Sequence, residues 1–178
     1  MILTTERLWL RDFSKEDWLD LHAIESDPDV ARYQAFEART PADAQAYIQQ
    51  SIASAREDPR RTYDLEVLLR GSNTVVGRCG LHITNADARE AMVWYTLHRS
   101  LWGRGYIPEA LQVLVDFGFR ELRLHRIWAE CDPANRPSYR VLEKIGMRRE
   151  GHLRENVWVK GAWVDSLIYA VLDREWQR

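Results

Sequence analysis

The sequence changes from strand-like to helix-like periodicity across two closely spaced glycines in the second half of the chain. The run from Ala91 to Leu97 is rich in β-branched, aromatic and aliphatic residues, which is typical of a strand. Gly103 and Gly105 follow it, and the apolar residues after them, beginning with Ile107, recur at helical spacing. The stretch therefore predicts a strand, a glycine turn and an amphipathic helix.

A turn of this kind can bind a phosphate group. Glycine lets the backbone approach a ligand closely, and the first N–H groups of a helix lack internal partners at the positive end of its dipole. Pro108 fits the first helical turn, where an N–H is not needed. The spacing matches neither the dinucleotide pattern G-x-G-x-x-G nor the P-loop ending Gly-Lys-Ser/Thr. An ordinary loop and helix start remains the alternative.

Length and composition predict one globular domain spanning residues 1–178. A domain usually takes about 100–200 residues, and this chain has 178, of which 46% are hydrophobic and 29% charged. Most of the eight tryptophans are expected in the core or in pocket walls. Cys79 and Cys131 lie in strand-like runs and are expected to be reduced core thiols rather than a bridge.

The charge pattern argues against several classes of partner. The 25 basic and 27 acidic residues are mixed without a basic tract, so nucleic acid is not expected to bind. Glu6 and Arg7 interrupt the apolar region that a signal sequence would need, and no apolar run approaches the ~18 residues of a membrane span. We therefore expect no membrane partner and a cytoplasmic location. The five histidines are scattered, and no metal-binding pattern is present.

The N-terminal half predicts one strand, two helices and a hairpin. A strand is expected from Ile2 to Phe13, then a helix that is capped by Ser14 and runs to about Ile24. A second helix is expected to open at Thr40-Pro41. The hairpin pairs Tyr63 to Leu69 with Val75 to Ile83 across a Gly71-Ser72-Asn73 turn.

The C-terminal part predicts a strand, a short helix and a closing hairpin. The strand runs from Arg126 to Cys131, and the helix after it is capped by Asn135 and stopped by Gly146. Two further strands are expected on either side of Gly161, and residues 167–172 are expected to be a buried strand.

Two stretches together resemble the GNAT acetyltransferases. The first is similar to the family's acetyl-CoA pyrophosphate loop, and it comprises Tyr95-x-Leu97, Trp102-Gly103-Arg104-Gly105-Tyr106 and Glu109-Ala110-Leu111. The second resembles a D-x-x-N-x-x-S signature and comprises Asp132, Asn135 and Ser138. The resemblance is narrowest to the RimJ/RimL branch, which acetylates N-termini of ribosomal proteins and has many relatives that act on other amines.

The resemblance implies both a fold and a reaction. The fold is α/β (α+β type), a mixed, mostly antiparallel twisted sheet flanked by about four helices. The reaction moves acetyl from acetyl-CoA to a primary amine by direct attack, with a protein N-terminal α-amine as the expected acceptor and no metal. A small amine (amino acid, polyamine or antibiotic) is the alternative acceptor, and a non-catalytic acyl-CoA-binding module is the alternative class. A monomer or a homodimer is expected.

The resemblance also assigns residues to the coenzyme. The pantetheine arm would bind the main chain around Tyr95 and Leu97, unless that strand is fully paired in the sheet. The diphosphate would bind the loop, whose residues are Trp102, Gly103, Arg104, Gly105, Tyr106 and Ile107. Asn135 and Ser138 are assigned to the coenzyme as well, with Ser138 near its sulfur, although Asn135 can simply be a helix cap.

Two residues are candidates for proton transfer. In the resembling branch, the serine matched by Ser138 is thought to protonate the departing thiolate, although a buried hydroxyl can also simply bond the helix backbone. Glu130 matches a catalytic glutamate of some GNAT enzymes and could otherwise be an exposed strand carboxylate. Tyr33 and Asp165 are candidate substrate-binding residues, with loop packing and a role in the final hairpin as their alternatives.

Overall fold

The structure is a computed structural model that describes residues 1–72 and 74–176, and within them eight strands form one sheet. The strands are β1 (Ile2–Thr4), β2 (Leu8–Asp12), β3 (Thr62–Leu69), β4 (Val75–Asn85), β5 (Glu90–Leu97), β6 (Arg126–Cys131), β7 (Arg148–Val159) and β8 (Ala162–Leu172). The helices are α1 (Trp18–Glu25), α2 (Pro28–Ala31), α3 (Pro41–Ser54), α4 (Tyr106–Arg120) and α5 (Arg136–Lys144).

The sheet confirms the predicted mixed, mostly antiparallel architecture. Its strand order is β1-β2-β3-β4-β5-β6-β8-β7, and every neighbouring pair is antiparallel except β5 and β6. Parallel neighbours need a crossover connection, and α4 lies in the segment that joins them. The only parallel pair of the described sheet is therefore also the place where the glycine turn and its helix are inserted.

The first predicted strand was wrong in one respect, because the chain reverses within it. Residues 2–13 were expected to form one strand, but β1 and β2 are separate and pair with each other. Thr5 makes the turn: its main-chain N–H donates to the Leu8 carbonyl at 3.0 Å, and its side chain accepts from the Leu8 N–H at 2.9 Å. A threonine can form such a turn without the Gly, Pro or Asn that would have indicated it.

The sheet and α4 enclose the main core, as the helical periodicity predicts. The residues of the α4 stripe that face the sheet are fully or almost fully buried, and they are Ile107, Ala110, Leu111, Leu114 and Val115. Two glycines of β4, Gly77 and Gly80, lie in close contact with β5. A Cβ at Gly77 would clash with the Thr96 carbonyl, and one at Gly80 would clash with the Trp94 ring. These contacts let β4 and β5 pair tightly beside the functional site.

The expectation for the tryptophans was wrong for the final hairpin. Trp158 of β7 and Trp163 of β8 face each other across the two strands, with ring centroids 5.2 Å apart, and both rings are exposed. The two tryptophans belong to the hairpin of β7 and β8, and neither ring is part of the hydrophobic core. Lys160 at its tip donates to the Ala31 carbonyl at 2.7 Å, so the hairpin reaches the end of α2.

Cys79 and Cys131 are free and buried, as expected for core thiols. In residues 1–72 and 74–176, none of the helices is both long enough and apolar enough to span a bilayer.

A buried carboxyl group on β3 gives the fold a pH dependence. Glu66 is 1% exposed, and burial, reinforced by nearby Asp17, raises its pKa to about 8 even though Arg11 lies beside it. A carboxyl group whose pKa is raised on folding binds its proton more tightly in the native state, so the stability falls as pH rises from about 4.5 towards 8. Above that range, the stability contributed by the protonated carboxyl group should be lost completely.

We expect Glu66→Gln to remove this dependence, because the amide keeps the shape of the protonated acid and cannot ionise. We compare the free energies of unfolding of the variant and the wild type. The difference between them, variant minus wild type, should be larger at pH 9 than at pH 5 by more than about 1 kcal/mol. Urea unfolding at the two pH values measures the change. A constant difference between the proteins would show that Glu66 does not titrate in this range.

Candidate active site

The two parallel strands separate part of the way along the sheet. β5 pairs with β4 along its whole length, but with β6 only where residues 90–92 face residues 126–128. β6 continues to pair with β8 as far as Cys131. Beyond Met92, the edge of β5 that faces β6 therefore has no strand partner, and a gap opens in the middle of the sheet.

The register of β4 and β5 determines which main-chain groups face the gap. The N–H of His98 donates to the Val76 carbonyl at 2.7 Å, which continues the ladder beyond Leu97. Hydrogen-bonded and non-bonded pairs alternate along antiparallel strands, so the main-chain groups of Tyr95 and Leu97 point away from β4. The Leu97 carbonyl accepts the Trp102 indole N–H at 3.0 Å on that side. The full pairing that would have made these groups unavailable is absent beyond Met92 in the described sheet.

The glycine turn ends beside this edge, as the sequence indicates. Gly103 and Gly105 both have φ near +80°, at 78° and 79°, a backbone conformation that side chains with a Cβ disfavour. The first main-chain bond of α4 runs from the Glu109 N–H to the Gly105 carbonyl at 3.4 Å. The N–H groups of Tyr106 and Ile107 therefore precede the helical ladder and have no partner within it.

The sequence reasoning missed how the turn is anchored. Glu109, in the first turn of α4, forms an ion pair with Arg7 at 2.6 Å and accepts from Thr5 at 2.5 Å. Arg7 also donates to the Arg104 carbonyl at 3.1 Å, and its guanidinium lies 4.7 Å from the centre of the Tyr106 ring. The β1–β2 turn thereby fixes the loop from outside. No local pattern could have shown this, because about a hundred residues separate the partners.

Ser138 lies in the first turn of α5 and points towards the sheet. Its hydroxyl oxygen is 2.7 Å from that of Tyr95, on β5. Asn135 is the N-cap of the helix and accepts the Ser138 N–H at 3.3 Å. Gly146, with φ of 94°, follows the helix end as expected.

A groove with a volume of about 560 Å³ lies between these elements. Nine of the ten predicted coenzyme-binding residues line it: Tyr95, Leu97, Trp102, Gly103, Gly105, Tyr106, Ile107, Asn135 and Ser138. Tyr33 also lines it, on the wall formed by α2 and the residues after it. The sequence reasoning missed three basic residues of the lining, which are Arg32, Arg140 and Lys144. The groove thus combines an apolar floor with positive charge at its rim.

Three predicted residues lie outside the lining, and they are Arg104, Asp165 and Glu130. Arg104 is exposed, and its carbonyl faces Arg7. Asp165 accepts the Glu155 N–H at 2.8 Å and pairs with His152 at 2.6 Å, and these contacts hold its pKa below the usual range. These contacts span a register shift between β7 and β8, so they stabilise the hairpin. A role in the final hairpin was the alternative to substrate binding for Asp165.

Glu130 and Ser138 lie on opposite faces of the sheet. Ala129 and Cys131 are buried in the core beneath α4 and α5, so the side chain of Glu130 between them points to the other face. There its carboxylate accepts hydrogen bonds from Ser166 and, at 3.1 Å, from the Asn156 amide. The gap between β5 and β6 lies between these two residues, where the sheet is open from one face to the other.

This arrangement suits a long, flexible ligand that carries anionic groups at one end. The free strand edge offers amide partners, the turn and helix start offer N–H donors to a phosphate, and the rim offers cations. A half-buried serine lies where the ligand would enter the gap. A site of this kind is expected of an enzyme that uses a nucleotide-linked thioester.

Comparison with known proteins identifies the family. The acetyltransferase (GNAT) domain profile matches residues 7–148. The uncharacterized N-acetyltransferase YnaD of Bacillus subtilis (strain 168) is 34% identical and is aligned over 99% of each chain. The crystal structure of a GNAT-family acetyltransferase from Bacillus anthracis is also 34% identical, with a TM-score of 0.88 over 98% of this chain and 100% of that one. RimJ of Mycobacterium smegmatis, solved with a CoA-disulfide, is 25% identical, with a TM-score of 0.84 over 96% of this chain and 84% of that one.

The chain therefore belongs to the GNAT acetyltransferase family, and it is an N-acetyltransferase with a RimJ-like fold. The family assignment confirms the resemblance carried by the glycine loop and the Asp132–Ser138 signature. The roles of single residues remain predictions.

Proposed function

We propose that the protein transfers acetyl from acetyl-CoA to a protein N-terminal α-amine. The observation that carries the proposal is the free edge of β5 beyond Met92, which leads from the glycine turn to Ser138 within one groove. RimJ of Mycobacterium smegmatis, which has the same fold, was solved with a CoA-disulfide, and this supports the coenzyme.

The groove suggests how the coenzyme lies. Its diphosphate would accept N–H groups from the glycine turn and the start of α4, where the helix dipole favours an anion. Its pantetheine amides would bond the main chain of Tyr95 and Leu97 as a short neighbouring strand would. Arg140 and Lys144, one helical turn apart on α5, place positive charge beside the anionic part.

The chemistry needs a neutral amine and a proton for the leaving sulfur. The amine nitrogen attacks the thioester carbonyl, the carbon–sulfur bond then breaks, and the sulfur keeps the electron pair and takes the proton of Ser138 Oγ. The nitrogen loses one proton as it becomes an amide, and that proton restores the serine through solvent. Glu130 faces the opposite side of the sheet, from which the amine would enter, and is the proposed group that guides this proton.

Acid–base chemistry favours an α-amine as the acceptor. An α-amine has a pKa of about 8, so roughly a tenth of it is neutral at pH 7. A lysine side chain has a pKa of about 10.4, so well under a thousandth of it is neutral at that pH. Glu130 is exposed and its carboxylate already accepts two hydrogen bonds, so part of its capacity to accept a proton from the amine is already taken up. An acceptor that needs little deprotonation therefore fits the site best.

The test measures thiol release from acetyl-CoA with matched acceptors. The acceptors are a peptide with a free N-terminus and no lysine, the same peptide with a blocked N-terminus and one lysine, and spermidine. We expect the free α-amine to give the highest kcat/KM, with mass spectrometry placing the acetyl group on the terminal nitrogen. Preference for spermidine would indicate a small-amine enzyme, and coenzyme binding without thiol release would indicate a binding module.

We expect Gly103→Ala to weaken acetyl-CoA binding by about tenfold. A Cβ at this position meets no atom within 4 Å, so the effect comes from the backbone, where φ of 78° costs a non-glycine residue about 1–2 kcal/mol. Isothermal titration calorimetry measures the affinity.

Gly71→Ala is the matched control for that variant. Gly71 has φ of 87° and equally open surroundings, but it lies in the turn after β3, outside the groove. Gly71→Ala should lower the stability by about as much as Gly103→Ala does, and it should leave the affinity for acetyl-CoA unchanged. Unchanged affinity in Gly103→Ala would argue against a ligand on the glycine turn.

A further inference from the structure

The side chain of Tyr95 forms a close contact with the proposed acid of the reaction. Its hydroxyl oxygen lies 2.7 Å from Ser138 Oγ and 2.9 Å from the Ser138 carbonyl oxygen. Tyr95 lies on the free edge of β5, and Ser138 belongs to the first turn of α5. One phenol therefore connects the strand that would hold the coenzyme to the helix that carries the serine.

The three oxygens share only two hydrogens, which limits how they can bond. The carbonyl can only accept, whereas each hydroxyl has one hydrogen to donate. If Tyr95 donates to the carbonyl, the serine hydrogen is directed at the tyrosine oxygen. If Tyr95 donates to Oγ instead, the serine hydrogen is free to point into the groove. The direction of the Tyr95 hydrogen therefore decides whether the serine can donate to a ligand.

Burial keeps that hydrogen on the tyrosine. Desolvation raises the pKa of Tyr95 above its ordinary value near 10, although the bond with Ser138 acts in the opposite direction. A neutral phenol in this position can stabilise a serine oxygen that becomes more negative, because hydrogen bonds to a charged acceptor are stronger than neutral ones. Its surroundings do not favour a phenolate that would remove the serine proton.

We propose that the Tyr95 side chain is a positioning residue: it holds Ser138 Oγ at the groove and frees the serine hydrogen for the departing sulfur by donating its own hydrogen to Oγ. The inference rests on the proposed function. As the carbon–sulfur bond breaks, the sulfur takes the Ser138 proton, and the Tyr95 O–H stays covalent while its hydrogen bond to Oγ strengthens. The proton that the amine loses then restores the serine, and Tyr95 ends the cycle unchanged.

Tyr95→Phe tests the inference, because it removes the hydroxyl and keeps the ring. We expect kcat with the preferred amine to fall roughly 10–100-fold, while the KM for acetyl-CoA stays within about twofold. In a Ser138→Ala background the same change should have almost no further effect on kcat, since the tyrosine acts through the serine.

Tyr169→Phe is the matched control. Tyr169 is a buried tyrosine of β8 whose hydroxyl also bonds α5, donating to Glu143 at 3.1 Å, but it is not part of the groove lining. It should leave kcat within about twofold. Equal losses in the two phenylalanine variants would show a general effect of docking α5 and would overturn the inference.

The remaining outcomes separate the inference from the proposed function. A large loss in Ser138→Ala with none in Tyr95→Phe would overturn the inference alone. An equal loss from Tyr95→Phe with and without the serine would show that the tyrosine acts independently, which also overturns it. Full turnover in Ser138→Ala would overturn the inference and the role of the serine, while the acetyl transfer itself would stand. No thiol release by the wild type with any amine would overturn the proposed function, and the inference with it.

Discussion

Ser138→Ala is expected to lower kcat by about 10²-fold or more while the KM for acetyl-CoA changes little. The serine hydroxyl is the group that faces the proposed position of the sulfur, and loss of a general acid typically costs 10²–10⁴-fold. The coenzyme is proposed to be held mainly by main-chain groups of β5 and the glycine turn, which the substitution leaves in place. Steady-state thiol release, with coenzyme affinity measured separately, checks both parts.

A second variant and the cap of α5 make this prediction specific. Ser138→Cys replaces the hydroxyl with a thiol that can also give up a proton, so it should retain more turnover than alanine. Asn135 still caps α5 in both variants through the main-chain N–H of residue 138, so the helix start should persist. Unchanged turnover in Ser138→Ala would remove the serine from the catalytic mechanism.

Arg78→Met is expected to lower the free energy of unfolding by about 3–5 kcal/mol. The guanidinium of Arg78 lies beneath α1 and α3 and pairs with Glu25 at 2.7 Å and with Asp64 at 3.5 Å. All three residues are at most 4% exposed. Removing the cation leaves two buried carboxylates with less positive charge beside them. Burying a charge without its partner strongly destabilises the folded state.

The same network reaches the groove. Glu25 also accepts the Thr96 hydroxyl at 2.9 Å, and Thr96 lies between Tyr95 and Leu97 on β5. Arg78→Met should therefore weaken coenzyme binding in the fraction that stays folded. Thermal unfolding should show a decrease in Tm of roughly 10 °C.

Arg120→Met is the control for that stability change. Arg120 is 57% exposed and pairs with Asp116 on the surface of α4, a contact worth at most about 1 kcal/mol. Similar losses in the two variants would show that the buried network around Arg78 contributes no more than a surface ion pair.

The sequence predicted the parts of the site that depend on local chemistry. Positive φ at Gly103 and Gly105 requires glycine, the α4 stripe follows the helical period, and Asn135 and Gly146 mark the ends of α5. Each of these signals acts within a few residues, so it can be read along the chain. The reversal at Thr5 was missed because the hydrogen bond from the Leu8 N–H to the Thr5 side chain forms a turn that contains no Gly, Pro or Asn.

Placement was harder to predict than local structure. Glu130 and Ser138 are eight residues apart, yet the alternation of β6 and the packing of α5 put them on opposite faces of the sheet. Asp165 matched a family pattern, but its partners are a main-chain N–H and a histidine across the hairpin. Such contacts depend on strand pairing, and the pairing partner is not encoded beside the residue.

The amino-acid sequence by itself determined the family, the strand–turn–helix element and the serine signature, because short-range preferences and motif spacing are sufficient for them. Only the tertiary structure decided that β5 and β6 separate after Met92, that Arg7 and Glu109 fix the loop, and that the Tyr95 hydroxyl meets Ser138. These features bring together residues from 36 to more than a hundred positions apart, and the packing of the whole sheet sets their distances.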